Sequence, residues 1–206
     1  MYYETLFEGF EEKPMHELLL DITNGLYKPE ADYGEGVPIV RIDDFSNGSL
    51  IDENSPPLKR VAAIDKEIDK YRISQGEILL NRVNSLEHVG KVALVGKLSE
   101  PVLFESNMMR LRFNEDLILP EYARNVLTIP SVVEQIRAKS KRAIGQVSVN
   151  QGDIKSIFVP LPPLTEQKRI LEALHSRLAV IDGLHKAIKD TAEAINLQLN
   201  DIWSID

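Results

Sequence analysis

From Leu164 onward the chain carries apolar residues on alternating steps of three and four, and no proline interrupts them. Leu164, Leu171, Leu174, Leu178, Ile181, His185, Ile188, Ala192, Ile195, Leu199 and Ile202 fall on one seam, with the polar Gln167 in the remaining position near the start. A repeat kept over about five heptads marks a coiled coil rather than the face of an ordinary surface helix. At 1.5 Å per residue the helix is about 55 Å long, where helices in general average roughly 11–12 residues. The preceding domain is too small to cover the whole stripe, so the helix needs a partner. Thr165 is the expected N-cap. Leu171, Leu174, Leu178, Ile181, His185, Ile188, Ile195, Leu199 and Ile202 are the expected dimerisation contacts.

The segment before this helix reads as mixed α/β, which makes the fold class α+β: a globular domain over 1–160, then one long coiled-coil helix over 164–203. A short helix is expected around Met15–Ile22, then a loop over Gly25–Pro38 and a strand at Ile39–Ile42 closed by the Asn47-Gly48 turn. Further strands are expected at Ile78–Val83, Val89–Val95, Val102–Phe104 and Met109–Phe113, all rich in Val, Leu and Ile. One helix should follow Pro120, and another should open at Ser131 with Glu134 completing a capping box. Ile154–Leu161 reads as a last strand, stopped by Pro160, Pro162 and Pro163.

Composition narrows the function. Cysteine is absent from the 206 residues, which removes disulfides and thiolate metal sites and fits a reducing cytoplasm. The N-terminus has no basic region followed by an apolar run, so no signal peptide is expected, and no segment suits a membrane. A cytoplasmic protein is the expectation. The net charge of −8 argues against nucleic acid at first sight, since phosphate binding depends on Lys and Arg. The charge is uneven, however: residues 1–81 hold 8 basic and 17 acidic side chains, whereas residues 82–155 hold 11 and 8. Beyond a Debye length of about 8–10 Å only the local field counts.

Signatures of catalysis are missing. Asn54-Ser55-Pro56-Pro57 has the wrong spacing for an amino-methyltransferase motif, and Gly90-Lys91 lacks the upstream glycine of a phosphate-binding loop. His16, His88, His175 and His185 show no metal-ligand spacing. Glu121 with Asp153 and Lys155 faintly resembles a metal-dependent nuclease core, a pattern common by chance. No catalytic residue, metal or cofactor of the chain's own is therefore expected.

The clearest candidates for binding are polar. Arg137, Lys139, Lys141 and Arg142 form a basic cluster suited to phosphates, and it leads into a polar loop with Gln146 and Asn150. Arg82 and Asn84 lie in a second polar loop after a strand. Gln and Asn can match the donor and acceptor of adenine in a major groove, and Arg suits guanine. A reading of these segments as solvated loops stays open beside the DNA-binding one.

These same residues carry a family resemblance. Gly76-Glu77-Ile78-Leu79-Leu80-Asn81-Arg82, Val89-Gly90-Lys91-Val92 and Ser106-Asn107-Met108-Met109-Arg110-Leu111-Arg112 occur in an order that resembles a target recognition domain. Ile154-Lys155-Ser156-Ile157-Phe158-Val159-Pro160-Leu161-Pro162-Pro163-Leu164-Thr165-Glu166-Gln167 is similar to the entry into the conserved spacer helix of type I restriction-modification specificity subunits. The resemblance runs from about Met15 to Ile202. It implies a non-catalytic subunit that reads a split target in double-stranded DNA. It further implies docking of modification subunits, which bind S-adenosylmethionine, and of a restriction subunit.

That family carries two recognition domains and two spacer helices, and this sequence carries one of each. It is either a half-sized subunit or the first half of a longer one. The missing helix would then come from a second copy as an antiparallel homodimer, an orientation that rests on the resemblance alone. A 55 Å spacer corresponds to at most roughly 16 base pairs at 3.4 Å each. From another class, a coiled-coil adaptor that binds protein and not DNA would also suit the acidic N-terminal half.

Overall fold

The structure is a computed structural model that describes residues 4–143 and 146–203. The chain divides into two compact units, with the boundary between Gln167 and Lys168.

In the first unit the strands are β1 (Glu12–Pro14), β2 (Leu19–Asn24), β3 (Tyr33–Val40), β4 (Ser49–Ile51), β5 (Arg60–Val61), β6 (Ile78–Asn81), β7 (Val83–Asn84), β8 (Val92–Val95), β9 (Leu103–Phe104), β10 (Met108–Phe113), β11 (Lys141–Ala143), β12 (Gln146–Ser148) and β13 (Phe158–Pro160). Its helices are α1 (Asp65–Tyr71), α2 (Pro120–Val126), α3 (Pro130–Lys139) and α4 (Gln151–Lys155), and α5 (Leu164–Trp203) runs on into the second unit. The main sheet has five strands in the order β2-β10-β6-β8-β4, antiparallel except for the β4–β8 pair. Three-stranded sheets β5-β3-β9 and β11-β12-β7 and the pair β1-β13 complete the domain.

Both faces of the main sheet are covered at its centre, and that explains why β6 and β8 read as apolar runs without alternation. Leu79, Ala93, Val95 and Met108 join Val40, Phe45, Ile51 and Phe104 in one cluster. Ile78, Leu80, Val92, Met109 and Leu111 belong to the opposite face by the strand period and are fully buried as well. A smaller cluster of Leu26, Ile39, Val61 and Leu103 sits in the β5-β3-β9 sheet.

Arg110 lies among these residues, with its guanidinium 5.8 Å from the Phe104 ring. It donates to the carbonyls of Lys70 and Arg72 at the end of α1, and it pairs with Asp21 at 3.3 Å. Glu77, also buried, accepts from the Arg112 guanidinium at 2.7 and 2.9 Å. A buried charge is tolerated only with such partners. Burial alone would raise the Asp21 carboxyl, but the Thr23 and Arg110 hydrogen bonds hold it below the ordinary range.

Several local expectations are corrected. Met15–Ile22 is no helix: Met15–Glu17 is one 3-10 turn, and Leu19 opens strand β2 against β10. The 25–38 loop contains the start of β3, which begins at Tyr33. Helix α3 opens at Pro130, not Ser131, with Ile129 at its N-cap and no capping side chain. Proline at the first helical turn supplies the right φ and gives up only an N–H that would be unpaired anyway. Ile154 lies in α4 rather than in a strand, and β13 starts at Phe158. Thr165 lies inside α5, which starts at Leu164.

The strand expected at 89–95 is confined to Val92–Val95, because Gly90 breaks it at φ 82°. That left-handed backbone favours glycine, and a Cβ there would lie 2.9 Å from Cγ2 of Ile136. Gly25 is needed for another reason: a Cβ there would collide with the backbone carbonyl of Glu105. Among the described residues no helix is long and apolar enough to cross a membrane.

Candidate nucleic-acid interface

The small β11-β12-β7 sheet gathers several of the expected contact residues. Its middle strand β12 pairs with both neighbours, placing Arg142 opposite Val147 and Val147 opposite Asn84. Directly opposed residues of an antiparallel ladder share a face, so Arg142 and Asn84 flank the buried Val147. Lys141 opposes Ser148, and Gln146 opposes Ala143, on the other face. The sheet therefore splits the expected residues between two surfaces. Lys141, Arg142 and Gln146 are exposed, as is Lys139 at the end of α3. The expected loop began at Gly145, which lies outside the described residues.

Other candidates do structural work. Arg137 donates through Nη2 to the Glu87 carbonyl at 3.0 Å, tying α3 to the segment before Gly90. Arg82 is half-buried, and its Nη1 donates to the Ser106 carbonyl at 3.2 Å. Asn150 is the N-cap of α4: its Oδ1 accepts from the Asp153 backbone N–H, and Asp153 Oδ2 accepts from that of Asn150. This reciprocal pair is the capping box of the region. The sequence signal for it is Asn150-x-x-Asp153, in place of the box expected at Ser131. It also commits Asp153, the residue of the nuclease-like pattern, to a backbone role. Asn84 accepts from the Ser85 N–H through Oδ1, which leaves its amide nitrogen uncommitted.

Beside this sheet lies a cleft of about 450 Å³ lined by Asp43, Phe45, Ser49, Asn84, His88 and Lys91 among others. Of these only Asn84 is among the contact residues expected from sequence; the rest come together from distant parts of the chain. Lys91 Nζ donates to the Ile42 carbonyl at 3.1 Å and lies 4.9 Å from the Phe45 ring centroid. Nearby, burial pushes the Glu105 carboxyl up, against the lowering effect of the Ile42 N–H that it accepts and of Arg41. No group of three or more His, Cys, Asp or Glu side chains that could hold a metal ion occurs among the described residues.

The prolines before α5 are anchored from both sides. Tyr122, in α2, is buried and donates to the Pro160 carbonyl at 3.0 Å. Its phenol is pushed up by burial, and next by the charge of Glu166. Gln167 is fully buried within the first unit and is not a free seam residue. It accepts from the Leu119 N–H and donates to the carbonyls of Leu117 and Pro162, each at 2.9 Å.

Along α5 the expected seam divides. Leu171 and Leu174 are buried in the single chain. From Leu178 on the stripe is exposed: Leu178 at 53%, Ile181 at 46%, Ile188 at 66% and Ile195 at 50%, with His185 exposed between them. The side chains of Leu199 and Ile202 lie outside the described residues.

A two-faced mixed sheet domain running through a proline segment into a 40-residue helix defines the class. The family model for the type I restriction modification DNA specificity domain matches residues 10–194, and the chain belongs to that family. A protein named as the MjaX type I restriction enzyme specificity subunit of Methanocaldococcus jannaschii is 34% identical over 183 residues, 88% of this chain and 42% of its own. The EcoKI specificity subunit of Escherichia coli is 29% identical over 94% of this chain and 41% of its own. Among solved structures, the HsdS subunit of Thermoanaerobacter tengcongensis shares the fold with a TM-score of 0.63 at 18% identity, covering 90% of this chain and 44% of its own. A chain from a type I restriction-modification assembly matches with a TM-score of 0.64 at 19% identity, over 89% of this chain and 42% of its own. The chain thus spans about two fifths of the length of the curated relatives it matches.

Proposed function

We propose that the chain is a non-catalytic DNA-recognition subunit of a type I restriction-modification complex, reading its target through the sheet domain. The observation that carries this is the family match over residues 10–194, together with a basic exposed edge at Lys139, Lys141 and Arg142 next to a polar cleft. Phosphate contacts from the edge would position the domain, and base contacts from Asn84 and the cleft would specify the sequence. Modification subunits, which supply S-adenosylmethionine, and a restriction subunit would be its protein partners.

A second copy of this chain would cover the exposed stripe of α5. Support comes from the seam residues Leu178, Ile181, Ile188 and Ile195, all exposed in the single chain. An exposed apolar stripe of this extent marks an interaction surface. An antiparallel pair related by a two-fold axis would read a palindromic, split target.

Assembly of the full chain with modification subunits, followed by sequencing of the DNA they methylate, tests both parts. The expected result is one palindromic motif with an unread centre, and a chain mass in solution twice that of the monomer. Methylation without any shared motif would sink the recognition reading. An asymmetric motif from a monomeric chain would sink the homodimer.

A further inference from the structure

The cleft beside the β11-β12-β7 sheet carries a feature that phosphate binding does not explain. Asp43 is exposed at its rim, and no hydrogen bond or ion pair holds its carboxylate among the described residues. Asp44 beside it is already occupied, since its Oδ2 accepts from the Arg41 N–H at 2.7 Å. A free carboxylate repels phosphate, so its place at the rim of this cleft fits a ligand that brings a hydrogen-bond donor.

The remaining wall offers groups of the opposite kind. Asn84 keeps its amide N–H groups uncommitted, because Oδ1 takes the Ser85 N–H. His88 Nδ1 lies 2.9 Å from the Ser85 hydroxyl; with that hydroxyl donating to Nδ1, the ring presents its Nε2–H to a ligand. Lys91 is fixed by the Ile42 carbonyl, so its charge forms part of the wall. Ser49 Oγ is buried with no protein partner. The cleft thus sets an unengaged carboxylate, that of Asp43, beside donors. That is the pattern presented to a base edge in the major groove, where cytosine N4 and adenine N6 are the only amino donors and carboxylates accept from them.

We propose that Asp43 is a specificity-determining residue that accepts a hydrogen bond from the exocyclic amino group of a target base, cytosine N4 or adenine N6, with Asn84 and His88 addressing the acceptors beside it. The proposal rests on the DNA-recognition reading and deepens it. Asn84 is what joins the two, since it belongs both to strand β7 of the basic sheet and to the cleft wall.

The test uses the full chain assembled with its modification subunits and duplexes of the methylated motif. Each cytosine in turn is replaced by pyrimidin-2-one, or each adenine by purine, which deletes a single amino group. The parent complex should lose about tenfold or more in affinity at one position, the scale of discrimination for one well-placed contact. Asp43→Ala, which leaves no acceptor, should bind the unmodified motif more weakly by a similar factor and lose its sensitivity to that replacement. The pyrimidin-2-one and purine arms tell cytosine from adenine. Asp43→Ser, whose hydroxyl cannot reach as far, should behave like Asp43→Ala, with thermal melting showing that both variants remain folded.

Parent sensitivity at no position, or equal sensitivity in the Asp43 variants, overturns the assignment while leaving DNA recognition intact. A parent complex with no motif at all overturns both.

Discussion

Two single residues show how side chains hold the candidate site in place. Gln167 reads in the sequence as a polar break in a heptad seam, because a core position and a seam position share the same period. In the structure it is a buried hub for three backbone groups, on Leu119, Leu117 and Pro162. Gln167→Leu would leave those groups unpaired at a cost of about 1–3 kcal/mol for each that water cannot reach. We expect the variant to lose about 3 kcal/mol or more in urea unfolding, with little change in the slope. An unchanged midpoint would mean that solvent replaces these bonds. Glu105 gives a prediction in pH. Its folded pKa is raised by burial, so folding favours the protonated form, and that contribution is fully present below the unfolded value and lost as pH rises through the folded one. Glu105→Gln keeps an acceptor for the Ile42 N–H and removes the charge. The variant should therefore melt above the parent at neutral pH, and the gap should close as pH falls toward the ordinary value of 4.5. A gap independent of pH would refute this account of Glu105.

At the scale of elements, legibility followed the physics of each segment. The long helix was readable because its repeat is uninterrupted, and β6 because Ile78–Leu80 is an apolar run in a sheet covered on both faces. Met15–Ile22 was misread because the residues between Met15 and Leu20 suit a helix in isolation, while pairing with β10 draws Leu19 onward into a strand. Long-range pairing overrides local propensity there. In the candidate site the basic cluster was visible as charge, but its division between two faces depends on the β11-β12 register. The cleft was invisible, since it joins Asp43 to His88 and Lys91 across distant parts of the chain. For α5 the exposed half of the stripe carries the prediction. Burying a Leu or Ile side chain contributes about 1.5–3 kcal/mol. Leu178→Asp with Ile188→Asp removes two such side chains from each copy. The pair should raise the dimer dissociation constant by at least about a thousandfold, at 1.4 kcal/mol per factor of ten. Melting of the sheet domain should not change. Sedimentation of the variant as an unaltered dimer would place the contact elsewhere.

For the whole molecule, a net charge of −8 has to be reconciled with DNA as the ligand. Most of the excess acid lies before residue 82, and the exposed basic edge after α3 provides the positive field where contact is proposed. Each phosphate neutralised contributes about 0.9 to the slope of log affinity against log salt. In a dimer, Lys141→Ala with Arg142→Ala removes two cations from each copy. The slope should fall by about 3.6, with binding weakened for target and non-target duplexes alike and the methylated motif unchanged. Such a uniform loss is the counterpart of the sequence-dependent change expected at Asp43, since phosphate contacts position and base contacts specify. Titrations at several salt concentrations separate the two. A double variant with the parent's slope would show that the phosphates lie against another surface, and the cleft at Asp43 would then lose the basic neighbour that orients it toward a groove.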